Sequence, residues 1–269
     1  MFLIRKNSFY FFVIFISALV SSYFVISNWI FKSDFLTYQE FATFLAKQQF
    51  IDILSSNFLS IRVTEPIFIL FYWILSERSY ILLPLVNLIL YNFFLLRYTA
   101  VSWLALFALL LLQLTPTFQA FHLQRQFMSV IFLMVSLYFS KGYRRYIFWV
   151  LAILTHNSAI LLFPLYLRSN IALFLFIPIV YLLHNLSTAG FHVGGDYELG
   201  SIYYIILAFF SLSIFVKKRI TANLDRDKVT VMLVILWYLI FFLPYLGSRL
   251  YFTVFFVILV PGYFYRKIY

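Results

Sequence analysis

Apolar runs of membrane-spanning length recur from one end of this chain to the other, and they leave few folds open. They take in Phe9 to Phe31, Tyr80 to Leu96, Ala100 to Leu114, Ile171 to Leu186, Ile202 to Val216, Val229 to Leu246 and Leu250 to Tyr265. A hydrocarbon core about 30 Å thick takes about 20 helical residues. Inside it each segment must satisfy its own backbone, and these runs are continuous rather than alternating. The sequence therefore predicts an all-α, polytopic integral-membrane helical bundle, with about nine or ten helical segments, re-entrant pieces among them. One transmembrane domain, 1–269, is expected. Of the 269 residues, 64% are hydrophobic and 11% charged, against about a half and a quarter in a soluble domain.

The net charge of +11 does not point to nucleic acid, because Lys and Arg collect in short links between the runs, as cytoplasmic loops do. There is no Cys, which excludes disulfide and thiol chemistry. The His and carboxylate residues are spread out, and no metal-ligand spacing stands out. Most of the 36 Phe and 21 Tyr read as lipid-facing filler.

Arg5 and Lys6 precede the first run, which exceeds the roughly 7–15-residue core of a secretory signal. It reads as a retained helix with a cytoplasmic N-terminus. Lys32 to Thr64 does not span. Phe41, Phe44, Leu45, Ile51 and Leu54 give it the spacing of an amphipathic helix lying on the outer surface. Asp34 and Tyr38 are four apart and share a helix face. Glu65-Pro66 opens a short run to Leu75, with Pro suited to a first helical turn. Ser76 to Ser79 breaks it, and Arg97 to Thr99 is a tight link. Thr115-Pro116 is expected to end the span before it. Ser187 to Gly200, with His192, Asp196 and Glu198, is a polar loop. Lys217 to Lys228 is a basic cytoplasmic link, and a hinge is expected at Gly247-Ser248-Arg249. Asp225-Arg226-Asp227 matches the D-x-D of soluble glycosyltransferases, but no strand precedes it, and a solvated helix start is the plainer reading.

Strict alternation of spans leaves Lys141, Arg144 and Arg145 outside the cytoplasm. If the Glu65–Leu75 run and the run holding His156 dip in and return, these residues and Arg97 move inside, and Arg125 and Arg249 face outward. Re-entrant backbone is tolerated where protein or a watery cavity lines it. The expected orientation is therefore one with two re-entrant pieces.

Ionisable residues within apolar runs are costly and mark interior faces or pathways. Glu65, Arg125, His156 and Arg249 are such residues. An Arg near a helix end can also snorkel to lipid phosphates. His156 sits mid-run, where snorkelling fails. Asn157 and Ser158 beside it are also suited to hydrogen bonds between helices.

The ordered set Asp34…Tyr38, Glu65-Pro66-Ile67-Phe68, Arg125-Gln126, Thr155-His156-Asn157-Ser158-Ala159 and Ser248-Arg249-Leu250-Tyr251-Phe252 resembles the EpsG/Wzy group of bacterial polysaccharide polymerases over nearly the whole chain. Ile67 stands where that group usually has Gly, Ser129 where a small Ala is common, and Thr155 where an aromatic often precedes the His. The resemblance implies a multi-pass protein of the bacterial inner membrane with an outward-facing site. Its reaction would transfer a growing glycan from polyprenyl diphosphate onto a hydroxyl of the next lipid-linked repeat unit. The product would be O-antigen, capsule or exopolysaccharide. The implied partners are that lipid-linked oligosaccharide, the bilayer, a chain-length regulator and a flippase, with no cofactor and no metal. On this reading Arg125 and Arg249 clamp the diphosphate, since guanidinium binds such oxygens bidentately. His156 is the candidate base for the acceptor hydroxyl, with Glu65 and Asp34 as competitors. Tyr38 joins Asp34 as a substrate contact, and Gln126, Asn157 and Tyr251 hydrogen-bond sugar hydroxyls. A lipid-linked oligosaccharide transporter, a membrane acyltransferase and a non-catalytic assembly subunit are the rival readings.

Overall fold

The computed structural model describes residues 2–29, 33–49, 65–98, 113–167 and 226–261, together with Leu224 and single residues within 171–178 and 204–212. Among these residues there are helices and turns and no strand. The expected span 100–114 falls largely outside the described residues. So do His192, Asp196, Glu198, Asp225 and most of the stretch 171–225. The chain groups into two packing units, Met1–Asn157 with Phe264–Tyr269 and Ser158–Tyr263.

In the first unit α1 (Phe2–Trp29) buries Tyr10, Ile14, Ala18, Ser22 and Val25, at the three- and four-residue spacing of one helix face. Its opposite face exposes Phe12, Ile16, Val20, Tyr23 and Phe24. A helix apolar on its outward face as well as its inward one is compatible with a lipid bilayer. Tyr10–Ser27 and Pro66–Arg97 are long and apolar enough to cross a membrane. A bent pair, Thr115–His122 with Gln124–Phe139, makes a third if counted as one span.

The stretch expected to be amphipathic has one face packed against protein. α2 (Ser33–Leu45) buries Tyr38, Phe41, Ala42 and Leu45 against Phe68, Ile69, Tyr72, Leu83 and Met128. The reason is aromatic. Phe41 stacks on Phe68 at 6.4 Å and meets Tyr72 at 5.6 Å, and such pairs add about 0.5–1.5 kcal/mol beyond area burial. α2 is thereby held on α3 (Pro66–Leu75). At about 1.5 Å per residue, α3 reaches about half the hydrocarbon thickness. It ends at Ser76, whose φ of 55° breaks the helix direction, and it packs against α4 (Ser79–Tyr98).

α5 (Leu114–His122) carries Thr115-Pro116 at its start, and the end expected there for the span before it lies outside the described residues. Pro116 lies in the first turn, where its missing N–H is not needed. A break follows at Leu123 (φ −122°, ψ 49°), before α6 (Gln124–Met134). The two parts bend by 116°. Ser21 and Thr117 hydroxyls meet at 3.1 Å between α1 and α5. Gly142, at φ 58°, supplies the left-handed turn that starts α7 (Tyr143–Thr155). Ser129 Oγ donates to the Ala152 carbonyl at 3.1 Å, tying α6 to α7. α7 ends where His156 takes an extended conformation (φ −157°, ψ 120°), and a 3₁₀-helix, Asn157–Leu165, follows.

In the second unit α8 (Arg226–Phe242) and α9 (Pro244–Val254) pack together. The hinge expected at Gly247-Ser248-Arg249 lies at Leu243, because Pro244 disfavours helix in the residue before it. Gly247 is inside α9, and a Cβ there would stand 2.5 Å from the Ile240 backbone. Gly247→Ala thus sets helix propensity, which favours Ala by about 1 kcal/mol, against a backbone clash. The clash wins, and thermal unfolding of the purified protein should show a loss of about 1–3 kcal/mol.

Candidate functional site

Three helix interruptions in the first unit carry three ionisable side chains, and these meet. Glu65 precedes α3, Arg125 lies in the first turn of α6, and His156 ends α7. Arg125 Nη1 donates to Glu65 Oε2 at 2.7 Å. His156 Nδ1 stands 2.6 Å from Glu65 Oε1. One carboxylate therefore bridges a guanidinium and an imidazole, spending one oxygen on each. Glu65 makes no side-chain bond to cap its own helix, although an N-terminal acid usually would. Arg125 sits where a helix dipole opposes a cation, and Glu65 offsets that.

Glu65 and His156 side chains are each only 6% accessible, whereas Arg125 retains 28%. A buried charge without a partner costs several kcal/mol, so the bridge is required for these groups to sit here together. The Glu65 carboxyl precedes the apolar span. Burial alone would raise its pKa; the His156 hydrogen bond and the charge that ring carries when protonated in acid, then the charge and hydrogen bond of Arg125, outweigh this and hold it at about 2. An ionised carboxylate accepts, so Nδ1 carries the hydrogen, and in the neutral ring Nε2 is left as the basic nitrogen.

Around the bridge, Tyr38 accepts a hydrogen bond from Arg125, and its ring lies 6.2 Å from that of Tyr72. Tyr72 donates to Gln124 Oε1. The Gln124 amide donates to the carbonyls of Tyr80 (3.0 Å) and Phe121 (3.2 Å). Gln124 thus ties α3, α4 and α5 together at the bend beside Arg125. Sequence reasoning passed over Gln124 and Tyr72. The signal for Gln124 was a second amide in Gln124-Arg125-Gln126 inside an apolar stretch; Tyr72 had none among so many aromatics.

Gln126 is buried and Asn157 exposed. Asp34 lies in the first turn of α2, and its side chain is outside the described residues. Arg249, half-buried, and Tyr251, buried against Phe252 and Phe255, belong to α9 of the second unit. Among the described residues no group of three His, Cys, Asp or Glu is placed to hold a metal ion.

No protein-family model, no curated protein and no solved structure matches the chain.

Glu65 has a lower pKa folded than the unfolded value of 4.5, so its contribution to stability is full above that value and is lost as pH falls towards about 2. Acid unfolding followed by circular dichroism should show this fall in the native protein. Glu65→Gln should remove that part of the pH dependence. Arg125→Ala, which leaves a buried carboxylate with one partner fewer, should cost about 3–5 kcal/mol.

Proposed function

We propose that this chain is a multi-pass membrane glycosyltransferase that polymerises polyprenyl-diphosphate-linked oligosaccharide units into a surface polysaccharide. The site faces outward from the bacterial inner membrane. The observation that carries this reading is the Glu65 bridge between Arg125 and His156 at three helix interruptions. Broken helices in lipid are tolerated where they line a polar cavity, and buried ionisable groups there mark chemistry or transport.

The reaction assigns each group one task. His156 Nε2 takes the proton from the acceptor hydroxyl while Glu65 holds the Nδ1–H. The hydroxyl oxygen bonds to the sugar carbon that carries the diphosphate. The carbon–oxygen bond to the diphosphate breaks, and its electron pair leaves with the lipid diphosphate. The guanidinium of Arg125 neutralises that charge in a water-poor setting. The proton passes from Nε2 to water as the ring is restored. In this reading Glu65 orients the base rather than competing with it.

One observation favours a rival. The 116° break between α5 and α6 also suits a transporter of lipid-linked oligosaccharide, since transporters bind substrate at interrupted helices. A radiolabelled lipid-linked repeat unit in proteoliposomes separates the readings. A ladder of longer glycans is expected. Movement across the bilayer without ladders means transport, and ester formation means acyl transfer. Arg125→Lys keeps the charge and loses the bidentate fork, so it should slow ladder formation about 10-fold or more. An unchanged rate would remove Arg125 from the clamp.

A further inference from the structure

We propose that Glu65 also drives release of the anionic leaving group, by competing with it for Arg125. This rests on the diphosphate reading above and deepens it. Glu65 Oε2 lies 2.7 Å from Arg125 Nη1, yet Arg125 is far the more accessible of the two, at 28% against 6%. An anion arriving from the accessible side would meet the Arg125 side chain before the more deeply buried carboxylate. That carboxylate cannot drift away, because its other oxygen is held by His156 at 2.6 Å. Arg125 therefore works with part of its charge already answered.

The consequence is a limit on affinity. A desolvated guanidinium with no counter-charge would hold a diphosphate tightly and leave slowly. With Glu65 beside it the anion is repelled by a buried like charge, and Arg125 has a partner to close on when the product departs. Transition-state stabilisation needs the leaving charge to be favoured as it forms, not retained afterwards. Glu65 thus acts in two ways with opposite signs: through His156 it raises turnover, and through Arg125 it weakens product binding. A residue with a merely structural role would lower both turnover and binding when replaced.

The test measures binding of inorganic pyrophosphate by calorimetry, and ladder formation in parallel, on the full chain in nanodiscs. Glu65→Gln should bind pyrophosphate at least tenfold more tightly than the native protein while its turnover falls. His156→Gln should lose turnover with pyrophosphate affinity unchanged. Glu77→Gln, which removes an exposed carboxylate of the same unit, should alter neither. Arg125→Gln should abolish the binding. Equal or weaker pyrophosphate binding by Glu65→Gln would overturn the inference while leaving the Arg125 clamp intact. If Arg125→Gln bound as the native protein does, or neither bound, the diphosphate reading would fall together with it. Should Glu65→Gln not be recovered folded, Glu65→Asp draws the carboxylate back by one methylene and should tighten binding by a smaller factor. No tightening there overturns the inference equally.

Discussion

A single carboxylate holds the first unit's polar centre together. Glu65 gives one oxygen to Arg125 and the other to His156, and none of the three could sit in apolar surroundings without it. Buried ion pairs seldom stabilise a protein relative to a well-packed apolar core of the same volume. Their presence in a chain with only 11% charged residues is why a chemical role is proposed for them. The bridge also sets geometry, because a base and a cation that share one carboxylate are held at a fixed separation.

The backbone makes this possible by stopping helices in the right places. Ser76 with its positive φ ends the short α3, Leu123 bends α5 away from α6, and His156 leaves the helical region altogether. Each interruption frees polar backbone groups that lipid would not tolerate, so each must lie against protein or a polar cavity. Gln124 shows how one is stabilised. Its amide answers carbonyls from two helices while its oxygen is held by Tyr72, and this fixes the residue before Arg125. α2 seals the same region from another side, with Tyr38 reaching Arg125 and Phe41 lying on Phe68.

Much of this was legible in the chain. Glu65, Arg125 and His156 stood out because ionisable groups in apolar runs are rare, and the helical class followed from run length. The partner of each was not legible. Nothing in the spacing says that Glu65 turns away from its own helix to reach two residues 60 and 91 positions on. The interruption at Leu123 was not legible either, because it carries no glycine or proline. Gly247 looked like a hinge and is instead a contact, because a glycine needed for close helix approach and one needed for a bend read alike. The partner of α2 was not legible either: its buried stripe holds Tyr38 and Phe41, and the spacing showed an amphipathic helix but not that α3 would cover it.

The central claim concerns a proton on one nitrogen of one ring. Nitrogen-15 magnetic resonance of the imidazoles in the reconstituted protein, with the His156 signal assigned by its loss in His156→Gln, reads that directly. The account requires a neutral His156 with hydrogen on Nδ1, strongly hydrogen-bonded, and a marked change of that signal in Glu65→Gln. Hydrogen on Nε2, or a signal indifferent to the loss of the Glu65 charge, would contradict it.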